Sequence, residues 1–202
     1  EIADEYWDYL NEALQEYTIG DPNLPKVDIG PIINKNSKDR LLAHISALKK
    51  SAKRTIEHHH KQDKGNLFIT PIVFEIDSIN QIDEENFGPI LHFIRYKNEN
   101  LQQVIDEIND TGYGLTMGVH SRIVSKARRI FEAANVGNFY FNRDIVGAVV
   151  GVQPFGGQGL SGTGPKAGGP GYLYNFVTEK TYTDNVMALS LIHISEPTRR
   201  LI

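Results

Sequence analysis

The sequence predicts an α/β fold: a mainly parallel sheet flanked by helices. Three observations carry that expectation. Short apolar, β-branched segments alternate with longer segments of helical apolar spacing, the signature of strands joined by helical crossovers. The chain has 202 residues, a length that suits one large domain or a piece of a bigger one. Hydrophobic content of 40% and charged content of 23% are ordinary for a globular protein.

Each element follows in chain order. Residues 1–17 read as an amphipathic helix, with Ile2, Tyr6, Tyr9, Leu10, Ala13, Leu14 and Tyr17 on one stripe. The sequence opens inside this helix, so the start is expected to lie upstream. Residues 20–31 hold three prolines among turn formers and read as a loop. Ser37 is placed to cap a second helix with Leu41, Leu42, Ile45, Leu48 and Ala52 inward. Residues 54–57 are a short strand, and 58–65 a polar exposed stretch. "NLFITPIVFEI" is strand-like, with Pro71 arguing for an edge or a break. "ILHFIRY", residues 90–96, is a strand. Asn98 is placed to cap the next helix, which carries Leu101, Val104, Ile105 and Ile108. "LTMGVHS" is a strand. Ile123, Ala127, Ile130, Phe131 and Ala134 mark a helix that Gly137 would stop. "NFYFNR" is a strand. A glycine-rich stretch follows, and then "YLYNFVTEKTYTDNV", read as extended strand.

Bulk properties exclude several functions. A net charge of −4 provides no basic field for nucleic acid. No apolar run reaches membrane-spanning length, and the first residues do not read as a signal peptide. The chain has no cysteine, which rules out a disulfide framework, a thiolate metal site and a cysteine nucleophile within it.

Four constellations could carry chemistry. In "EENFGPI", the Gly-Pro pair makes a rigid turn that can aim Glu85 and Phe87 into one cleft. A carboxylate accepts two hydroxyl donors at once, as on a ribose, and an aromatic packs on a ring or sugar. A solvated acidic loop with one buried Phe is the simpler reading of composition alone. His58, His59 and His60 are consecutive, so their side chains diverge, and zinc motifs use wider spacings; a polar surface is the reading here, and no metal is expected. Lys49, Lys50, Lys53, Arg54, Arg128 and Arg129 sit on solvated helix faces or helix ends, where cations suit the dipole. Finally, ten of the eighteen glycines fall in residues 147–171, nine of them within "GAVVGVQPFGGQGLSGTGPKAGGP". Glycine lets a backbone approach a ligand, and successive N–H groups can form an anion nest. The stretch lacks the phosphate-loop spacing and is not G-x-G-x-x-G between strand and helix. A phosphate nest, a carboxylate nest and a structural crossover all remain open on spacing alone.

The motifs "EENFGPILHFIRY", "NDTGYGLTMGVHS", "VGNFYFNR" and "QPFGGQGLSGTGPKAGGP" resemble, in order and spacing, the aldehyde dehydrogenase superfamily. "GDPNLPKVDIGPII" and "GNLFITPIVFEI" resemble the same family's preceding segments, so the likeness covers residues 1–188. "VGAVVGVQPFGGQGLSGTGPKAGGP" is similar to the branch that oxidises L-glutamate γ-semialdehyde, above all the C-terminal dehydrogenase module of bifunctional proline utilisation enzymes.

That resemblance implies a fold and a site. Residues 1–171 would be the C-terminal part of the catalytic domain, 172–188 an oligomerisation strand, and 189–202 a non-native tail resembling a translated sequencing adapter. It implies NAD rather than NADP, with Glu85 on the nicotinamide ribose hydroxyls and Phe87 packed near them. Gly147 and Ala148 would offer backbone N–H groups to the substrate's α-carboxylate, and Phe155 would pack on its aliphatic carbons. It implies a cytoplasmic homo-oligomer in proline catabolism, and FAD only if a proline dehydrogenase domain precedes. The family's chemistry runs through a cysteine thiohemiacetal and thioester, hydrolysed by water that a glutamate activates. That cysteine and glutamate have no counterpart in this chain, so no catalytic residue is expected here and the chain alone is expected to be inactive. Two other readings stand beside it: a non-catalytic assembly or regulatory module of the same fold, and an aldehyde dehydrogenase for another substrate.

Overall fold

A computed structural model describes residues 2–59, 67–162 and 164–185. His60, residues 186–188 of the expected terminal strand and the whole 189–202 tail lie outside the described residues. The chain divides into two compact units: residues 1–113 with 121–135, and residues 114–120 with 136–202.

The first unit is a three-layer arrangement. Helix α1 spans Ala3–Glu16 and helix α2 spans Lys35–Ser51. Strands β1 (Arg54–Glu57), β2 (Ile72–Ile76) and β3 (Ile90–Ile94) form one sheet in the order β1-β2-β3. β2 pairs parallel with β3 and antiparallel with β1. Every residue of β2 is buried, because alternate side chains reach opposite helices. Val73 packs with Trp7, Leu14 and Ile56 under α1. Ile72, Phe74 and Ile76 pack with Leu48 under α2.

Several sequence expectations are corrected here. Trp7, only 5% exposed, anchors α1, whereas Ile2, Tyr6, Tyr9, Ala13 and Tyr17 face outward; the inner seam is narrower than the expected stripe. Helix α2 starts three residues early: the Asn34 carboxamide oxygen accepts the Ser37 amide at 2.8 Å, so Asn34 and not Ser37 is the cap. Pro71 marks a break, since β2 begins directly after it and is the central strand. Having no N–H, Pro71 contributes only its carbonyl, which accepts from His58.

The rest of this unit holds α3 (Leu101–Asp110) and α4 (Val124–Ala133). Asn98 does not cap α3. A 3-10 turn, Asn98–Asn100, feeds the helix, and the Asn98 side chain instead accepts the Lys126 ammonium at 2.6 Å. Asn109 seals the end of α4, donating to the Ala133 carbonyl and accepting from the Asn135 amide.

The second unit pairs β5 (Thr116–Val119) with β6 (Asn138–Phe141) in parallel. A second pair joins β4 (Tyr113–Gly114), which straddles the division, and β7 (Gln158–Gly159). The described strands thus fall into three sets, with the β2–β3 and β5–β6 pairings parallel. Gly137 does not end α4, which closes at Ala133 with Ala134 already extended. Its reason is close approach: a Cβ there would overlap the Gly156 carbonyl oxygen. The expected strand over 172–186 is also corrected. Tyr172–Phe176 is a 3-10 helix, in which the Tyr172 and Phe176 rings meet edge to face at 5.5 Å, and residues 177–185 carry no regular element.

Candidate functional site

In the first unit, the turn before β3 builds a groove. The Ile72 amide donates to the Pro89 carbonyl and the Ile90 amide to that of Gly88, which locks the Gly-Pro turn to the sheet. The two acids before it diverge in role. Glu84 pairs with Arg40 at 2.7 Å, and that hydrogen bond holds its carboxyl below the ordinary range. Among the described residues, none donates to the Glu85 carboxylate. Glu85 and Phe87 line one groove of about 550 Å³ together with Ile32, Arg40 and Leu41. Phe87 is 80% exposed, so the expectation of a single buried Phe in this loop is overturned. The sheet side of the turn leaves no space beneath it: even a Cβ on Gly88 would meet Leu41. The groove therefore presents an unengaged carboxylate and an open aromatic face, the two groups a ribose hydroxyl pair and its ring require.

In the second unit, the glycine-rich stretch is fastened at three points. The Tyr140 hydroxyl donates to the Gly147 carbonyl at 2.9 Å. The Gln153 side-chain oxygen accepts the Val149 amide, closing a turn over 149–153. Phe155 exchanges both backbone hydrogen bonds with Ala167, each 3.0 Å. Gly147 has φ of 63°, a left-handed conformation that an L side chain resists. Among the described residues, neither the Gly147 nor the Ala148 amide donates to a protein acceptor. Phe155 is half-buried. Gly156, Gly157 and Gly162 serve packing, since a Cβ on Gly157 or Gly162 would collide with backbone.

Sequence reasoning missed the groups beneath this loop. Asn138 is 8% exposed; its amide donates to the Pro154 carbonyl at 2.9 Å and its oxygen accepts the Gly156 amide at 3.1 Å. Tyr140 is 6% exposed. Lys166 also reaches the Gly137 carbonyl. The available signal was an Asn at an inward position of an otherwise aromatic strand, where an unpartnered amide would be costly.

Members of the remaining constellations make structural contacts. The His58 ring meets the Tyr17 carbonyl, and the His59 amide donates to Gln15. Lys49 pairs with Glu57, Lys53 with Asp77 and Arg54 with Asp4. No helix among the described residues is long and apolar enough to cross a membrane.

Known proteins place this architecture. The Aldehyde dehydrogenase family model matches residues 1–182. The chain is 42% identical over 186 residues to the "Bifunctional protein PutA" of Klebsiella aerogenes, covering 89% of this chain and 14% of that protein. It is 36% identical over 188 residues to the "1-pyrroline-5-carboxylate dehydrogenase" of Geobacillus sp. (strain WCH70), covering 91% and 36%. A crystal structure of a Bradyrhizobium japonicum Proline Utilization A (PutA) variant superposes with a TM-score of 0.83 at 48% identity, over 93% of this chain and 19% of that one. The chain thus spans about one seventh of the PutA protein's length and about a third of the shorter dehydrogenase's. With the family matched across nearly its whole length and both units built as described, the chain belongs to the aldehyde dehydrogenase family.

Proposed function

We propose that this chain is a segment of an NAD-dependent dehydrogenase that oxidises L-glutamate γ-semialdehyde to L-glutamate in proline breakdown. The observation that carries the reading is the pair of unengaged amides at Gly147 and Ala148, preceding a half-buried Phe155 on the same anchored stretch. Two adjacent N–H donors suit a carboxylate, and a phenyl ring suits the methylenes beyond it. Fixing the carboxylate end orients the aldehyde end, which converts an encounter into a positioned reaction. In the other unit, Glu85 accepts the ribose hydroxyls of NAD and Phe87 packs on the sugar. NAD, when bound, accepts the hydride released from the aldehyde carbon. The residues of this chain bind and orient; the attacking thiolate of the resembled family is not among them.

The names of the relatives support the substrate class. By the same reading the enzyme works in the cytoplasm as a homo-oligomer through residues 172–188, and FAD belongs only to a protein that also carries a proline dehydrogenase domain. The test uses the complete gene product. NADH formation is measured with glutamate γ-semialdehyde and with pentanal, an aldehyde of the same chain length without the amino acid head. The semialdehyde is expected to be preferred by at least about tenfold in kcat/KM, the equivalent of about one hydrogen bond to a charged group. Equal kcat/KM for both would overturn the substrate assignment.

A further inference from the structure

The stretch that carries the carboxylate amides rests on two buried polar side chains of one strand face. In β6 the buried residues alternate: Asn138 and Tyr140 point inward, Phe139 and Phe141 less so. Tyr140 holds the carbonyl of the Gly147–Ala148 peptide. That carbonyl and the Ala148 N–H belong to one planar trans unit and point in opposite directions. Pinning the carbonyl inward therefore turns the Ala148 N–H outward, away from Tyr140. The Arg143 guanidinium lies over the Tyr140 ring at 4.6 Å. Asn138 acts on the second half of the site. Its carboxamide bonds the Pro154 carbonyl and the Gly156 amide, the backbone groups on either side of Phe155. With the Phe155 backbone already bonded to Ala167, the polar groups flanking that ring are fixed on both sides.

We propose that Tyr140 and Asn138 are positioning residues for substrate binding: Tyr140 aims the Ala148 amide at the carboxylate and so serves selection, and Asn138 sets the Phe155 ring against the carbon chain of any aldehyde. This rests on the reading of Gly147, Ala148 and Phe155 as the substrate end. The division of labour separates a specificity role from a structural one. Losing the Tyr140 hydroxyl disturbs recognition of the carboxylate alone. Losing the Asn138 carboxamide disturbs the apolar contact that every aldehyde makes.

The experiment compares wild type, Tyr140→Phe and Asn138→Ala in the complete gene product, with kcat and KM for glutamate γ-semialdehyde and pentanal. Tyr140→Phe is expected to raise KM for the semialdehyde about fivefold, the worth of one neutral hydrogen bond, with kcat within about twofold. The semialdehyde-to-pentanal ratio of kcat/KM falls with it. Asn138→Ala is expected to lower kcat/KM for both aldehydes and to leave their ratio within about twofold. If Tyr140→Phe depresses both aldehydes alike, or leaves the semialdehyde KM unmoved, the positioning role is wrong. Should Asn138→Ala fail to fold, the Tyr140→Phe ratio decides. A wild type with no preference for the semialdehyde defeats the underlying substrate reading instead, which is a separate result.

Discussion

Glu75 shows how a single residue can fix two layers. It lies on β2 facing α1, nearly buried, with Arg95 Nε at 2.7 Å and Arg54 Nε at 3.8 Å. Asp4 of α1 reaches the same two guanidiniums at 3.0 and 2.9 Å, so acid and base alternate. The Arg95 hydrogen bond, and then that of Arg54, hold the Asp4 carboxyl below its ordinary range. Arg54 also lies 4.6 Å over the Trp7 ring, tying the charges to the apolar anchor of α1. Removing a buried partner leaves charge uncompensated, which costs about 3–5 kcal/mol for a fully buried pair. Here both arginines keep Asp4 and part of their hydration, so Glu75→Gln is expected to cost about 2 kcal/mol. Urea unfolding of the chain, followed by the fluorescence of Trp7, its one tryptophan, measures this. A shift below about 0.5 kcal/mol would mean the cluster is solvated and adds nothing beyond a surface pair.

At the scale of elements, α2 and β3 meet through a polar contact inside an apolar seam. His44 and His92 approach Nε2 to Nε2 at 2.9 Å, an arrangement that needs one ring to donate and the other to accept. Burial, and then the neighbouring His44, push the His92 ring down to about 4; His44 is lowered too, by burial, although Glu84 and Asp83 pull it back. The sign follows directly. The unfolded chain binds a proton at His92 near the ordinary value of about 6.5, while the folded chain refuses it until about 4. Stability from this contact is complete above about 6.5 and declines as pH falls toward about 4. The melting temperature should therefore drop between pH 7 and pH 5, and His92→Gln, which keeps a hydrogen-bonding group without a titration, should flatten that drop. An unaltered slope in the variant would remove His92 as the cause. Neither His was legible as a pair, because residues 48 positions apart become neighbours only through the packing of α2 on the sheet. The same limit explains the misplaced caps. Ser37 and Asn34 have equal local credentials, and the structure caps the helix with Asn34, whose side chain takes the Ser37 amide. What was legible were the apolar runs of β2 and β3 and the inward faces of α2 and α3; in α4 only Ala127 and Ile130 of the expected stripe are buried, while Ile123 and Phe131 are exposed.

For the molecule as a whole, the proposed function separates the binding groups from the reacting group in sequence, and that separation makes a last prediction. Glu85 and Phe87, the proposed cofactor contacts, were legible as a rigid turn, and Gly147, Ala148 and Phe155 as a loop whose role spacing left open. Their supports, Asn138 and Tyr140, were not, since nothing in a strand's letters says which loop will cross it. All five residues proposed to bind present backbone amides, a carboxylate or an aromatic ring; none is proposed as a nucleophile toward an aldehyde carbon. The sequence holds no cysteine, so no thioester can form on residues 1–202. The isolated chain is therefore expected to form no NADH from glutamate γ-semialdehyde, and iodoacetamide is expected to leave its mass unaltered by thiol alkylation. The complete gene product is expected to form NADH and to lose that activity on alkylation, with semialdehyde and NAD together slowing the loss. NADH formation by the isolated chain would show that a group within residues 1–202 attacks the aldehyde, and would overturn the division between binding and reacting parts. Activity of the complete product that survives full alkylation would leave the binding assignment standing but replace the thiol with another nucleophile.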